Sequence, residues 1–221
     1  MKPIILGGLV VFVVIVLIVV ILPFFFGVGI KTPSAGPATQ GVFISSDGGK
    51  TWESRNTIKN SRAQLSGLTI TDFVIHPKER THLYLGTTNS GIWKSQDSGG
   101  SWEKIVDRGG VLRPGAEILR IVISEANPKV WFTAVYQQNR GSLLKTEDGG
   151  ETFREVYFVP VEKFGVFDVW IDESGRSVFV VTGQGGFLES KDGGKSWRVV
   201  RWFPDGVIRL ISDSRSSSTL Y

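Results

Sequence analysis

Four charged residues recur at one position of a repeated pattern, and they are the residues best placed to do chemistry. Asp72, Arg120, Asp168 and Arg209 each lie inside a short apolar run. A guanidinium group in such a place can bind a carboxylate on a partner molecule. Two aspartates could also serve an inverting glycoside hydrolase, which needs two carboxyl groups about 6.5–9.5 Å apart. The alternative is structural, because alternating charges can neutralise one another as ion pairs.

Other catalytic and cofactor motifs are absent or incomplete. The GKT and GKS triplets at 49–51 and 194–196 lack the further glycine that a phosphate-binding loop requires. His76 and His82 are the only histidines, and no third metal ligand stands near them in the sequence. No G-x-S-x-G motif of a hydrolase nucleophile occurs. We therefore expect no metal and no cofactor, and no catalytic set can be assigned.

The most conspicuous pattern is an eight-residue box that occurs four times. It reads SSDGGKTW at 45–52, SQDSGGSW at 95–102, TEDGGETF at 146–153 and SKDGGKSW at 190–197. A catalytic motif normally occurs once, whereas a unit repeated about every fifty residues is typical of propellers and solenoids. The box is therefore interpreted as architecture.

Each letter of the box has a physical reason in a tight turn between two strands. The aspartate accepts hydrogen bonds from backbone N–H groups ahead of it, and the Ser or Thr bonds back across the turn. The glycine supplies a positive φ, and the aromatic residue opens the next strand and fills the gap between neighbouring sheets. These structural residues are Ser45, Asp47, Gly49, Trp52, Ser95, Asp97, Gly99, Trp102, Thr146, Asp148, Gly150, Phe153, Ser190, Asp192, Gly194 and Trp197.

Around each box the sequence predicts four short strands separated by turn residues. One such meander cannot bury both of its faces, so radial packing as a β-propeller is favoured over a solenoid. The predicted units are a half blade at 41–56, blades at about 66–107, 116–157 and 164–202, and a partial blade at 206–221. The two part blades could close a four-bladed ring. The short strand before Tyr221 favours instead a piece of a larger ring.

The first thirty residues differ in kind from the rest of the chain. Residues 3–30 carry no charge, and a span of about 4–26 is long enough to cross a bilayer as a helix. The apolar run is too long for a cleaved signal peptide, so an uncleaved transmembrane anchor is predicted. Lys2 is expected to stay on the cytoplasmic side of the cell membrane, with the remainder extracytoplasmic. Residues 31–40 form a Pro/Ser/Gly/Ala-rich flexible linker.

The four boxes resemble those of the Asp-box, or BNR-repeat, β-propeller superfamily. That group includes sialidases, xyloglucanases, the amino-terminal propeller of sortilin and the photosystem II assembly factors. The resemblance covers residues 41–221 and implies an all-β propeller whose boxes are structural and lie away from the ligand face. It says little about activity. The Arg-Ile-Pro motif of sialidases is unmatched, with LRPG at 112–115 the nearest sequence, and the glycines beside the xyloglucanase aspartate are missing around Asp72.

These features favour a membrane-anchored, extracytoplasmic propeller that acts as a protein-binding or assembly module. In a propeller the innermost strands line a central channel, and Asp72, Arg120, Asp168 and Arg209 are expected to lie at its mouth. The expected contact surface is this channel mouth together with two loops, DRGGVLRPGAE at 107–117 and YFVPVEKFG at 157–165. The alternative is a glycan-active hydrolase of the sialidase or xyloglucanase type, for which a glycan would be the ligand. A formal net charge of +4 is too small to predict nucleic-acid binding.

Overall fold

The computed structural model describes residues 40–213 and 216–221, and the regular structure within them is β-strand. The strands of this part of the chain are β1 (Phe43–Ile44), β2 (Glu53–Ser54), β3 (Ile70–Ile75), β4 (Leu83–Thr87), β5 (Ile92–Ser95), β6 (Glu103–Lys104), β7 (Glu117–Ile123), β8 (Trp131–Gln137), β9 (Arg140–Thr146), β10 (Arg154–Phe158), β11 (Val166–Ile171), β12 (Val178–Thr182), β13 (Gly186–Ser190), β14 (Arg198–Trp202), β15 (Ser212–Asp213) and β16 (Ser216–Leu220).

Each strand pairs antiparallel with its neighbour in the sequence, so the sheets are simple meanders. Three sheets have four strands: blade 1 (β3–β6), blade 2 (β7–β10) and blade 3 (β11–β14). Two sheets have two strands: the leading hairpin (β1–β2) and the trailing hairpin (β15–β16). The leading hairpin contains the first box and therefore corresponds to the third and fourth strands of a blade. Repeated four-stranded antiparallel sheets confirm the all-β, propeller-type repeat.

The blades stack through apolar faces, and blade 2 uses one face against blade 1 and the other against blade 3. Trp102 and Leu85 of blade 1 pack with Val42 of the leading hairpin. The blade 1–blade 2 contact includes Tyr84 and Trp131, whose rings are 4.6 Å apart. The blade 2–blade 3 contact buries Phe132, Ala134, Leu143, Val169, Val178, Val180 and Leu188. Because a strand places alternate residues on opposite faces, both faces of blade 2 are apolar.

The innermost strand of each full blade has a β-bulge at the same place. Pairing with the second strand shifts by one residue between Ile70 and Asp72, and the same shift recurs one and two blades later, leaving Thr71, Leu119 and Phe167 as the extra residues. A bulge increases the local twist and changes the direction of the next side chain. The residues that follow the bulges are Asp72, Arg120 and Asp168.

The loops of each blade separate onto two ends of the sheet, which we name the box face and the loop face. The box turn lies beside the turn between the first two strands, because Gly149 N donates to Lys129 O at 2.9 Å and Gly193 N to Arg176 O at 2.9 Å. At the other end, Gly141 N of the β8–β9 hairpin donates to Phe164 O of the blade 2–blade 3 loop at 3.1 Å. The loops between blades therefore lie on the loop face.

Two features differ from the sequence interpretation or lie beyond it. Residues 206–211 align with the innermost strands of the blades, but strand β15 begins only at Ser212, so Arg209 lies in an irregular segment. The predicted anchor at 1–30, and the linker up to residue 39, fall outside the described residues and stay predictions. Among the residues described, no helix is long and apolar enough to span a membrane.

Candidate functional site

The aspartate of each box forms the centre of a closed hydrogen-bond network within one hairpin turn. In the first box, Asp47 Oδ1 accepts from Ser45 Oγ at 2.8 Å and from the backbone N–H groups of Lys50 and Thr51 at 2.9 Å each. Its Oδ2 accepts from Thr51 Oγ1 at 2.7 Å, and Gly49 N donates to Ser45 Oγ at 2.7 Å. The third and fourth boxes repeat every one of these bonds. The second box lacks only the bond that corresponds to the one from Lys50 N to the aspartate.

These networks account for the electrostatics of the boxes. The hydrogen bonds from the Thr51 hydroxyl and the Thr51 backbone N–H have the largest effect on the pKa of Asp47. Together with the bond from the Ser45 hydroxyl, they lower this pKa to about 2. The Ser196 hydroxyl and N–H likewise lower the pKa of Asp192. Both oxygens of each carboxylate are occupied by donors of the same turn, which leaves poor geometry for a cation. Within the described residues, no group of three or more acidic or histidine side chains could hold a metal ion.

The box aromatic residue joins one blade to the previous one. Trp102 is fully buried, and its Nε1–H donates to Arg55 O of the leading hairpin at 2.7 Å. Trp197 Nε1–H donates in the same way to Val156 O of blade 2 at 2.8 Å. Trp52 differs, since it is 62% exposed and its Nε1–H donates to Gly49 O of its own turn.

Three of the four charged residues singled out from the sequence meet at the innermost strands. Arg120 lies between the two aspartates: its Nη1 donates to Asp72 Oδ1 at 3.2 Å, and its Nε is 3.1 Å from Asp168 Oδ1. The second contact is an ion pair without a hydrogen bond, because the Nε–H does not point at that oxygen. Asp72 is largely buried and Asp168 is 2% exposed. This Asp–Arg–Asp cluster therefore links three consecutive blades.

The same carboxylates also bind the backbone of the following repeat. Asp72 Oδ2 accepts from Ile121 N of blade 2 at 2.6 Å, and Asp168 Oδ2 accepts from Leu210 N at 2.9 Å. Ile121 and Leu210 each follow the arginine of their repeat, so the bond is repeated although residues 206–211 are not a strand. Arg209 itself is 65% exposed along its side chain, and its Nε is 3.8 Å from Asp168 Oδ2. Arg209 is thus far more accessible than Arg120.

A cavity of about 320 Å³ opens beside Arg120 between the innermost strands of blades 2 and 3 and the segment 210–213. Its lining includes Trp170 and three acidic residues of the box-face turns, Glu125, Asp172 and Glu173. Burial alone would raise the pKa of Asp172, but hydrogen bonds from the Ser174 hydroxyl and from nearby backbone N–H groups lower it below its usual value. The cavity is therefore polar and acidic, and the charge of its single arginine is already matched by Asp72 and Asp168.

The two loops expected to bind a partner are very different in the structure. Loop 107–117 folds inward: Leu112 and Ala116 are buried, and the buried Asp107 carboxylate accepts four backbone N–H bonds at 2.7–3.1 Å. Loop 157–165 exposes Phe158, Val161 and Phe164, which we name the loop-face patch. The sequence gives no sign of this difference, because both loops contain glycine, proline and apolar residues.

Comparison with known proteins agrees with this geometry. The family model of the BNR/Asp-box repeat matches residues 43–54. The chain carries a BNR/Asp-box repeat. This match at the first box confirms the predicted resemblance to the BNR/Asp-box repeat, while comparison with curated proteins gives no match.

Solved structures with the same fold are large propeller proteins. The GH74 xyloglucanase from Xanthomonas campestris is 18% identical with a TM-score of 0.56, over 73% of this chain and 27% of that one. A chain of the nidogen/laminin complex is 14% identical with a TM-score of 0.56, over 72% of this chain and 57% of that one. YCF48 from Cyanidioschyzon merolae is 14% identical with a TM-score of 0.50, over 66% of this chain and 48% of that one. The chain thus spans less than two thirds of each of these proteins, and at such identities the likeness concerns the fold.

Proposed function

We propose that this Asp-box protein is a membrane-anchored, extracytoplasmic β-propeller that binds a protein partner through its loop face. The observation that carries the proposal is the loop-face patch, where Phe158, Val161 and Phe164 are exposed within seven residues. Clustered exposed apolar side chains rimmed by polar residues are typical of protein–protein contact sites. Residues 155–158 and Pro160 also line a shallow groove at the same place.

The patch is held by backbone hydrogen bonds. Val159 is buried beneath the loop, and its N–H donates to Gly141 O at 2.9 Å. Lys163 N donates to Asn139 O at 3.3 Å, and Asn139 Nδ2 donates to Glu162 Oε2 at 3.0 Å. A loop fixed in this way loses little conformational entropy when a partner binds.

Charged groups at the edge of the patch could add specificity. The guanidinium of Arg140 lies 4.4 Å from the ring centre of Phe158 and pairs with Glu155 at 2.9 Å. A stacked arginine keeps the ring in one orientation while remaining available to a polar partner group. Apolar anchors bordered by charged pairs favour a protein partner over a small polar ligand.

The rest of the proposal is supported by the sequence and by the fold. The uncharged stretch at 3–30 supports an anchor, and the absence of cysteine fits a domain stabilised by packing alone. One structure that shares the fold is a complex of nidogen with laminin. Resemblance to photosystem II assembly factors also favours a binding role, and the sortilin resemblance remains a prediction.

The alternative of a glycan-active hydrolase is less well supported by the geometry. The two aspartates that could act as acid and base, Asp72 and Asp168, share the charge of Arg120 and accept backbone N–H bonds. A general acid needs a proton to donate, and a general base needs a free lone pair near substrate. Because both carboxylates are held by Arg120 and by backbone N–H groups, neither of them is suited to these roles.

The proposal is tested by partner capture from membranes of the source cells with the detergent-solubilised full chain. The test variant is Phe158→Ser/Val161→Ser/Phe164→Ser, and Val106→Ser is the control, since Val106 is an exposed apolar residue outside the patch. We expect a defined protein to be retained by the wild type and the control and lost by the test variant. Retention by the test variant, or no protein captured by the wild type, would refute the proposal.

A further inference from the structure

The linker that precedes blade 1 covers the outer edge of that blade. The fourth strand of a blade is the edge of its sheet, so its outward backbone groups have no strand beside them to bind. At the start of this strand, Trp102 N donates to Thr57 O at 2.9 Å, and Lys59 N donates to Trp102 O at 2.8 Å. Ile58 and Trp102 form a parallel bridge. The linker therefore lies along the edge in the manner of an added strand.

The edge of blade 2 is covered in a related way by the linker that precedes it. Phe153 N, which opens the fourth strand, donates to the Asp107 carboxylate at 3.1 Å. Arg108 N donates to Glu151 O at 3.0 Å. In both blades, the linker thus binds backbone groups at the start of the outer strand, beside the box turn.

Within the described residues, the edge of blade 3 has no such cover. The linker before it, 159–165, is shorter than those before blades 1 and 2. It remains on the loop face, where Lys163 N donates to Asn139 O at 3.3 Å. No described residue accepts the N–H of Trp197, the box aromatic residue of this blade. The linker and the edge both belong to the described chain, so the edge is uncovered because this linker is short. We name residues 195–197 the open edge.

The charge of the edge changes together with its cover. On blade 1, a linker cation meets a carboxylate of the blade, because Lys59 Nζ is 3.7 Å from Glu103 Oε2. On blade 2, Arg108 Nη1 is 3.0 Å from Glu151 Oε2. In blade 3, the position of Glu151 is taken by Lys195. The blade without a linker cover therefore has the opposite charge at this position.

The reversal extends over the whole fourth box. Residues 190–198 carry three cations and one anion. Residues 146–154 carry three anions and one cation, and residues 95–103 carry two anions and no cation. Since the linkers that cover the two acidic boxes contribute cations, a segment that covers the basic box should contribute anions.

Two lysines of the fourth box are available to such a segment. Lys191 and Lys195 are exposed, and neither ammonium group forms an ion pair within the described part of the chain. Arg198 already pairs with Glu189 of its own blade. The Asp192 carboxylate is occupied by donors of its own turn. The charge available to a partner beside the open edge is therefore positive.

We propose that an extended acidic segment of a protein partner pairs with the open edge of blade 3, in the place that the linkers occupy on blades 1 and 2. The Trp197 N–H donates to a carbonyl of this segment, and carboxylates of the segment pair with Lys191 and Lys195. Addition of a strand to a sheet edge is a common mode of peptide recognition. This contact lies on the box face, so it is separate from the loop-face patch and does not depend on it.

The probe is a fluorescein-labelled peptide copied from the linker of blade 1. It has the sequence of residues 55–62, with Arg55, Lys59 and Arg62 each replaced by glutamate. Fluorescence anisotropy measures its binding to the detergent-solubilised full chain. We expect the acidic peptide to bind, and the unaltered basic peptide to bind at least about tenfold more weakly, because its charges repel the lysines.

The test variant is Lys191→Glu/Lys195→Glu, which gives the fourth box the charges that the third box has at these positions. It should bind the acidic peptide about tenfold more weakly than the wild type, because two ion pairs are replaced by repulsion between like charges. The control is Lys78→Glu/Lys129→Glu, which changes the net charge equally in box-face turns of blades 1 and 2. The control should bind like the wild type, and circular dichroism checks that both variants are folded.

A third peptide separates strand pairing from attraction between charges. N-methylation of the acidic peptide at the position of Lys59 removes the backbone N–H that Lys59 donates to Trp102 O, and it leaves the side-chain charges unchanged. Binding should weaken about fivefold or more, because a backbone hydrogen bond is lost. If the wild type did not bind the acidic peptide, the lysines would only protect the edge from pairing, and the proposal would be overturned. Equal binding of the N-methylated peptide, or equal binding by the test variant, would overturn it as well.

Discussion

The first and second boxes contain nearly the same turn but lie in different surroundings. In both, a serine hydroxyl donates to the aspartate at 2.7–2.8 Å, and the residue before the tryptophan closes the turn through its N–H and hydroxyl. Yet Trp52 is 62% exposed, whereas Trp102 is completely buried. The turn is therefore formed by local bonds alone, and the burial of the aromatic residue depends on the blade before it.

This comparison separates two tasks of the repeat. The Ser, Asp and Gly positions build a hairpin turn, and the aromatic position joins that hairpin to its neighbour. The innermost strands show the second task again, because Asp72 and Asp168 bind residues of the following repeat. Stability that comes from the turn and stability that comes from the junction should respond differently to substitution.

The largest contrast is expected between Trp102→Ala and Trp52→Ala. Removing the fully buried Trp102 side chain should cost about 3–5 kcal/mol of unfolding free energy, because it leaves a cavity and an unpaired Arg55 carbonyl. Removing Trp52 should cost less than about 1 kcal/mol, since little area is buried. Urea unfolding followed by circular dichroism measures both. Equal losses would show that the two boxes do not differ as described.

A contrast of similar size is expected within the Asp–Arg cluster. Asp168→Ala should cost about 3–5 kcal/mol, because it leaves Arg120 half paired and removes the acceptor of Leu210 N. Arg209→Ala should cost less than about 1 kcal/mol, since that side chain is 65% exposed and its contact is long. Urea unfolding measures both changes. A large loss of unfolding free energy for Arg209→Ala would show that Arg209 stabilises the fold as the other three charged residues do.

The difference between contacts within a turn and contacts between blades also explains which parts of the structure the sequence predicts. Box turns depend on residues that are neighbours in the sequence. Their position between the third and fourth strands could therefore be predicted from the residues around Asp97 and Asp148. The bulges at Thr71, Leu119 and Phe167 could not, because a bulge is defined by the register of a partner strand. The irregular segment around Arg209 and the different exposure of the two loops also depend on long-range packing.

Acid should weaken the turns. The pKa of Asp47 is about 2 in the folded protein and 3.8 as a free side chain, and Asp148 and Asp192 shift in the same direction. A carboxylate with a lowered pKa stabilises the fold above its unfolded pKa and ceases to do so as pH falls through its folded pKa. Stability should therefore decline between about pH 4 and pH 2. Urea midpoints across that range measure it, and a flat profile would contradict the hydrogen-bond networks.

The smallest effect concerns a single turn residue in which the second box differs from the others. Ser98 has a φ of +58°, where the other boxes have glycine. Because a side chain in this region is strained, Ser98→Gly should stabilise the protein by about 1 kcal/mol or less. Gly48→Ser in the first box is the matched reverse change, and differential scanning calorimetry should show opposite shifts in Tm. Shifts of the same sign would disagree with this view of the turn.

The most direct test of the whole account compares partner binding per folded molecule in a turn variant and a loop variant. Asp148→Asn weakens one box, and Phe158→Ser/Val161→Ser/Phe164→Ser removes the loop-face patch. We expect the box variant to unfold at lower urea concentration yet to bind the captured partner like the wild type, whereas the loop variant should keep its stability and lose binding. Loss of binding by the folded box variant, with binding retained by the loop variant, would contradict this account.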